Sequence, residues 1–240
     1  LSRPSLSPEE MARLERTHHL FEDLAQIRPL YNQIRFLNLT GVESLRVDAL
    51  NGRNKLIQGK SLQSKRSRAY FLETNKKSQS EIYISRLDLN VEWGKVERPF
   101  KPMLRYAKPV FVQGDREGVV VLNLSADNFL KLIPRDVWLV DLEGFYLHHA
   151  MADKNWGMME ELKRPYKNIK YEYPGLLDSM NSGNSGAVNY RGATYLYQPV
   201  HFHPSDKSRF WLAVKEIKTP SYPLSSRQWI DSSTNAINSA

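Results

Sequence analysis

The chain has 240 residues, 41% hydrophobic and 11% aromatic, with 34 Lys and Arg against 26 Asp and Glu for a formal net charge of +8. That length and apolar content can fill one long domain or two small ones, while a mean hydropathy of −0.53 and the lack of any apolar run near ~18 residues exclude a membrane span inside it. Zero cysteines exclude a disulfide framework and thiolate chemistry, and basic residues dispersed among acids, as in EELKRPYKNIKYEY, with no helix-turn-helix, zinc-finger or RNA-stacking pattern, argue against a nucleic-acid partner.

In chain order, Ser7-Pro8-Glu9-Glu10 opens a helix, with Ser7 as N-cap, Pro8 at the first helical position and two acids at the positive end of the dipole. Met11, Leu14, His18, Phe21, Leu24 and Ala25 give it one apolar stripe as far as about Ile27, and Arg28-Pro29 stops it. Strands over 33–39 and 43–49 flank the turn former Thr40-Gly41 as a hairpin, and 62–73 has a helical pattern. Strands over 104–112 and 118–124 flank Gly114-Asp115, which predicts an antiparallel sheet with helices on one side. A helix over 125–132 then leads to a second hairpin, VWLVDLEGFYLHH, turning at Glu143-Gly144, and to strands over 186–190, 194–201 and 209–217. RFLNLTGVESLRV and WLVDLEGFYLHHA share one plan, so two similar units in tandem are expected.

The segment from Glu81 to Val112 is neither low-complexity nor rich in Gly and Ser, and it gathers Asp88, Asn90, Glu92, Glu97, Arg98 and Arg105 between two strand-like runs. An ordered polar insert of this kind reads as a lid over a binding site, and the function it suggests is recognition. Arg105 lies on a strand beside Tyr106 and Pro109, able to point into a cavity. Tyr70, Phe71 and Tyr83 are read first as core.

YNQIRFLNLTGVESLRVD, LQSKRSRAYFLET, EIYISRLDLNVEWGKVERPFKPMLRYAKPVF, GVVVLNL, WLVDLEGFYLHH and DKNWGMM together resemble the extracytoplasmic double-PAS, or double Cache, sensor domains of bacterial transmembrane receptors, over roughly 10–218. The resemblance implies an α+β fold: a long stalk helix over 1–30, a membrane-distal PAS-like unit over 31–125, a membrane-proximal one over 126–218, and a segment over 219–240 leading to a membrane span near Trp229 and Ile230. It implies a periplasmic domain that binds a small molecule in the distal unit, dimerises through the first helix, and signals to a histidine kinase, or else to a diguanylate cyclase or chemoreceptor module; a ligand-free dimerisation or partner-binding domain is the alternative reading. The start at Leu1 and the polar tail likewise read as a piece of a longer, membrane-anchored protein.

Amino-acid-binding members of that family carry Tyr, four residues, Arg, one residue, Trp-Tyr, then later Tyr, one residue, Asp. Arg68, Tyr70, Phe71 and Asp88 stand at matching positions here, whereas Gln63 and Arg86 replace the two outlying tyrosines. Arg68 can grip a carboxylate with two prongs and Asp88 can accept from an ammonium. The expected ligand-binding set is therefore Arg68, Tyr70, Tyr83, Asp88, Asn90 and Arg105, with Arg68 facing Asp88 across the cavity and a ligand bearing a carboxylate or an amine.

No metal or cofactor is expected. His201 and His203 share a strand face, but His148 and His149 point to opposite faces and no carboxylate or cysteine supports them at metal-ligand spacing. His18 and His19 read as helix surface. Phosphate loops, nucleophile elbows and zinc-protease motifs are missing, so any catalysis belongs to another part of the parent protein.

Overall fold

A computed structural model describes residues 8–27, 30–50, 53–180, 183–203 and 206–217. Ser7, the Arg28-Pro29 stop, Trp229 and Ile230 lie outside the described residues. The chain divides into two compact units, one through Leu132 and one from Ile133.

The first unit opens with α1 (Pro8–Ile27), 20 residues long. β1 (Tyr31–Asn38) and β2 (Glu43–Leu50) form the expected hairpin, and β3 (Arg53–Ile57) extends it. After α2 (Ala69–Thr74), the insert supplies four two-residue strands: β4 (Tyr83–Ile84), β5 (Asp88–Leu89), β6 (Val91–Glu92) and β7 (Lys95–Val96). The long strands β8 (Pro102–Val112) and β9 (Asp115–Ser125) and the short α3 (Asp127–Leu132) complete the unit. Its antiparallel sheet runs β3-β2-β1-β9-β8-β4, with β5 also on β8.

Alternation along the strands separates two faces. On one, Ile34, Leu45 and Val47 pack under Phe21 and Ala25 of α1. On the other, Leu37, Ala107, Val119 and Val121 meet Tyr70 and Phe71 of α2. Helices therefore cover both faces, not one, because β1 and β9 are apolar on each side. Leu24, placed in the buried stripe of α1, is exposed along with Leu20 and Ile27, since the sheet engages only the Phe21–Ala25 side.

Three local readings shift. Only 69–74 of the expected 62–73 helix is helical, because the backbone before it is already used: Glu43 N donates to Gln63 O at 2.9 Å and Lys65 N to Gly41 O at 2.7 Å. The β8–β9 turn is centred on Gln113-Gly114, both with positive φ, one residue earlier than expected. α3, expected to lead the second unit, groups with the first, where Ala126 N donates to Pro102 O.

Gly41 holds the β1–β2 turn with φ +77°, and a Cβ there would lie 2.6 Å from Arg66 Cα and 2.9 Å from Phe71 Cε1. Gly41→Ala is expected to cost about 1–3 kcal/mol from the left-handed backbone alone, and more from the collision. A lowered urea midpoint is the result expected; an unchanged one would contradict the close approach.

The second unit repeats the plan. β10 (Val137–Val140) and β11 (Tyr146–His148) form the hairpin, followed by α4 (Ile169–Glu172), α5 (Leu176–Met180), β12 (Gly186–Tyr190), β13 (Ala193–His203) and β14 (Asp206–Ile217). The order β11-β10-β14-β13-β12 matches β2-β1-β9-β8-β4: a leading hairpin, with the last strand inserted beside its first. Asn168 caps α4 by accepting from Lys170 N at 2.8 Å, while its amide donates to Glu143 O across the hairpin turn. Leu176, Leu177 and Met180 of α5 then close over Trp138, Tyr146, Tyr195 and Leu212.

Candidate functional site: a buried polar cluster in the first unit

Cross-strand register builds the site. Asp48, Gln33, Asn123 and Arg105 pair in sequence across β2, β1, β9 and β8, forming a polar row on the α2 face of the sheet. The adjacent row begins Arg46 and Arg35 before turning apolar at Val121 and Ala107. A slip of one residue in any of these strands would turn the row to the other face.

Two arginines directly opposite repel. Two carboxylates bridge them here. Glu43, fully buried, approaches Arg35 at 3.1 Å and Arg46 at 3.7 Å, and its Oε2 accepts from Gln63 N at 2.9 Å. Glu92 of β6 approaches Arg46 at 3.2 Å, Arg35 at 3.6 Å and Lys65 at 3.1 Å. Arg46 also grips Asp48 with two nitrogens, at 2.7 and 2.9 Å. Lys65 donates further to Gln63 Oε1 at 2.9 Å.

Arg105 reaches the same space from β8, its side chain 2% exposed, donating to Asp88 and, at 3.4 Å, to Asn90 Oδ1. The Tyr70 ring lies 5.7 Å from its guanidinium, and the Tyr70 hydroxyl accepts from Arg35 at 3.4 Å. Gln33 accepts from Arg35 and from Asn123, the latter at 2.7 Å. The cluster thus holds four cations, Arg35, Arg46, Lys65 and Arg105, against four carboxylates, Glu43, Asp48, Asp88 and Glu92.

Protonation follows from these neighbours. Burial alone would raise the Glu92 carboxyl, but Arg35, Arg46 and Lys65 together outweigh it and hold it at about 2. Burial, with Arg35 adding to it, lowers the Lys65 ammonium below the ordinary lysine range. Burial alone would lower the Arg105 guanidinium, but Asp88, Tyr70 and Glu92 together outweigh it and raise it.

Of the six residues the sequence singled out, Tyr70, Asp88, Asn90 and Arg105 converge on the cluster. Tyr83 is half-buried on β4 and packs with Leu37, Tyr70 and Phe71. Arg68 is half-buried at the N-cap of α2 and forms no ion pair among the described residues. The partner of Asp88 is Arg105, not Arg68, because β5 pairs with β8 and brings the two side by side.

Gln33, Arg35, Glu43, Arg46, Asp48, Lys65 and Asn123 were missed, and Glu92 was named only as part of the polar insert. The available signal was a charged or amide residue at an inward position of an otherwise apolar strand, as at Arg35 in QIRFL and Asn123 in VVVLNL. An open apolar groove of about 640 Å³, lined by Tyr31, Ile82, Tyr106, Leu122 and Leu124, lies on the opposite face, where α1 leaves β8 and β9 uncovered.

In the second unit His149 is buried, stacked 5.4 Å from Trp138, with Nδ1 accepting from Met151 N. His201 lies 5.5 Å from Phe210, and the His203 side chain is outside the described residues. His18, His19 and Glu22 bring donor atoms together on one turn of α1, where His18 lies 3.2 Å and His19 3.5 Å from Glu22. Among the described residues no helix is long and apolar enough to cross a membrane.

Tandem units of one strand order, the first with a buried polar cluster beneath an insert, define a two-module PAS-like sensor architecture. The chain belongs to the family described as bacterial histidine kinase, sensor domain, whose model matches residues 6–212. Among solved structures, it is similar to a domain of a protein assigned to the sensory box/GGDEF family of Vibrio parahaemolyticus, with TM-score 0.75, 21% identity, and 88% of this chain and 81% of that one covered. It is similar to the extracellular domain of a protein described as a histidine kinase, vpHK1S-Z8, with TM-score 0.72, 22% identity, and 96% and 81% covered. A third similar structure is the ligand-binding domain of the Campylobacter jejuni chemoreceptor Tlp3 in complex with 4-methylisoleucine, with TM-score 0.56, 11% identity, and 91% and 78% covered. At these identities the structures establish a shared fold. No curated protein matches the chain.

Proposed function

We propose that this chain is the periplasmic ligand-sensing part of a membrane-anchored receptor, that its first unit binds a small molecule carrying a carboxylate or an amine, and that the signal passes to a cytoplasmic histidine kinase module. The observation that carries this reading is the buried cluster of four cations and four carboxylates. Burying ion pairs costs more than filling the same space with apolar side chains, and convergent, perturbed charges of this kind mark sites of recognition more often than of mere packing. Arg35 and Arg46 lie on β1 and β2, whose other face packs α1 through Ile34, Leu45 and Val47. A ligand engaging these arginines shifts the equilibrium between two arrangements of α1, which serves as the stalk.

Leu20, Leu24 and Ile27 are exposed at helical spacing on α1 and supply the face through which the receptor dimerises. A diguanylate cyclase output is the second reading, supported by the likeness to the Vibrio parahaemolyticus sensory box/GGDEF protein.

Thermal unfolding of the chain against panels of amino acids, other carboxylates, amines and nucleobases tests the reading. A compound at 100 times its Kd should add about 2.7 kcal/mol of stability, with a smaller shift in Tyr70→Phe and in Asn90→Ala. A silent wild type, or a shift that neither substitution reduces, would count against the first-unit site.

A further inference from the structure

Glu92 is held as a bound carboxylate would be. Its Oε1 accepts from the amides of Gln33 and Asn90, each at 3.3 Å. Its Oε2 accepts from Gln63 at 2.6 Å, Lys65 at 3.1 Å and Arg46 at 3.2 Å. Five donors, from β1, from β2, from the 63–65 segment and from Asn90 of the insert itself, thus converge on one carboxylate. Glu43, the other carboxylate bridging the arginines, is a fixture of the sheet, buried at the start of β2. Glu92 instead belongs to the insert, on a hairpin of two two-residue strands turning at Trp93 and Gly94, both with positive φ. The Trp93 side chain at its tip is 67% exposed, so the tip has no apolar anchor; Trp93 N donates to Gln63 Oε1 at 3.2 Å, and Val91 at its base is buried.

We infer that Glu92 is a tethered stand-in for the ligand's carboxylate, and that a small monocarboxylate replaces it in the cage of Arg46, Lys65, Gln33, Gln63 and Asn90 while the β6–β7 hairpin swings away. Charge selects the class. With Glu92 in place the four cations meet four carboxylates. With Glu92 withdrawn they meet three, Glu43, Asp48 and Asp88, and the site is one negative charge short. A ligand of net charge −1 restores the balance, whereas a zwitterion leaves a buried cation uncompensated. The inference rests on the first unit being the sensor and adds to it the ligand's charge and the element that moves.

Glu92→Ala removes the equivalent of one acetate molecule, so sodium acetate is the probe, with sodium chloride at equal ionic strength as the control. The variant should melt below the wild type in chloride and be restored progressively by acetate. Its half-saturating acetate concentration should be about tenfold or more below that of the wild type, where the tethered carboxylate competes at high effective concentration. If Glu92→Ala does not fold, Glu92→Gln keeps the volume without the charge and should likewise respond to acetate more strongly than the wild type. In the wild type, saturating acetate should raise amide exchange over residues 91–96.

Acetate no more effective than chloride in the variants would overturn the inference. Rescue of Glu92→Ala with unchanged wild-type exchange over 91–96 would also overturn it, since the site would then be filled permanently by its own glutamate. A panel compound that stabilises the wild type, while acetate does nothing for either variant, would leave the sensor reading standing and remove Glu92 as the stand-in.

Discussion

Glu43→Ala is expected to destabilise the first unit by about 3–5 kcal/mol, the cost of leaving buried charge without its partner. Glu43 is fully buried between Arg35 and Arg46, which face each other across β1 and β2, so its loss leaves Glu92 as their one bridging carboxylate in a desolvated site. It also removes the acceptor for Gln63 N, and with it one fastening of the 62–65 segment that carries Lys65 into the cluster. Three of the four tryptophans among the described residues, Trp138, Trp156 and Trp211, belong to the second unit. Tryptophan emission therefore reports mainly on that unit, and the test is native-state hydrogen exchange of the β1 and β2 amides, which reads local opening energies. Faster exchange in β1, β2 and β9 with little change in β13 and β14 is the expected result. Unchanged protection in β1 and β2 would mean that Glu43 does not hold the arginine pair.

Trp138→Ala is expected to cost about 3–5 kcal/mol in the second unit, as for other large aromatic truncations in cores. The ring stacks on His149 at 5.4 Å, meets Tyr146 edge-on at 6.1 Å, and lies 5.3 and 5.9 Å from Tyr173 and Tyr195. Removing it strips a wall from four aromatic neighbours at once, and the Tyr146 hydroxyl that donates to Glu172 at 3.0 Å loses the packing that aims it. Trp156 and Trp211 remain as fluorescent reporters, so the shift in urea midpoint can be read directly. A loss below about 1 kcal/mol would fall in the range of ordinary substitutions and contradict the central place of Trp138 in this core.

The sheets were largely legible in the sequence because their signals are local. Alternation marks β1, β2, β8 and β9, and Gly41, Gly114 and Gly144 mark turns within a residue of where they form. The helix over 62–68 failed for a non-local reason: those residues have helical composition, but Gln63 and Lys65 are fastened to Glu43 and Gly41, about twenty residues away. The candidate site was half legible. Asp88, Asn90, Arg105 and Tyr70 were found because they sit in or beside a polar insert. Arg35 stands out locally as a charge in the apolar run QIRFL, whereas Glu43 and Arg46 look, one strand at a time, like ordinary solvent-facing residues. Only the register of β1 against β2 and β9 shows that their face is the covered one. Pairing was the least legible feature, since the choice of Arg105 over Arg68 for Asp88 is made by β5 docking on β8.

The most direct test of the first unit as the sensor is a crystal structure of the domain grown with a compound that raises its melting temperature. Ligand density on the α2 face of the first sheet, within hydrogen-bonding distance of Arg35, Arg46 or Arg105, is the expected result. Density confined to the second unit, or to the apolar groove on the opposite face, would contradict it.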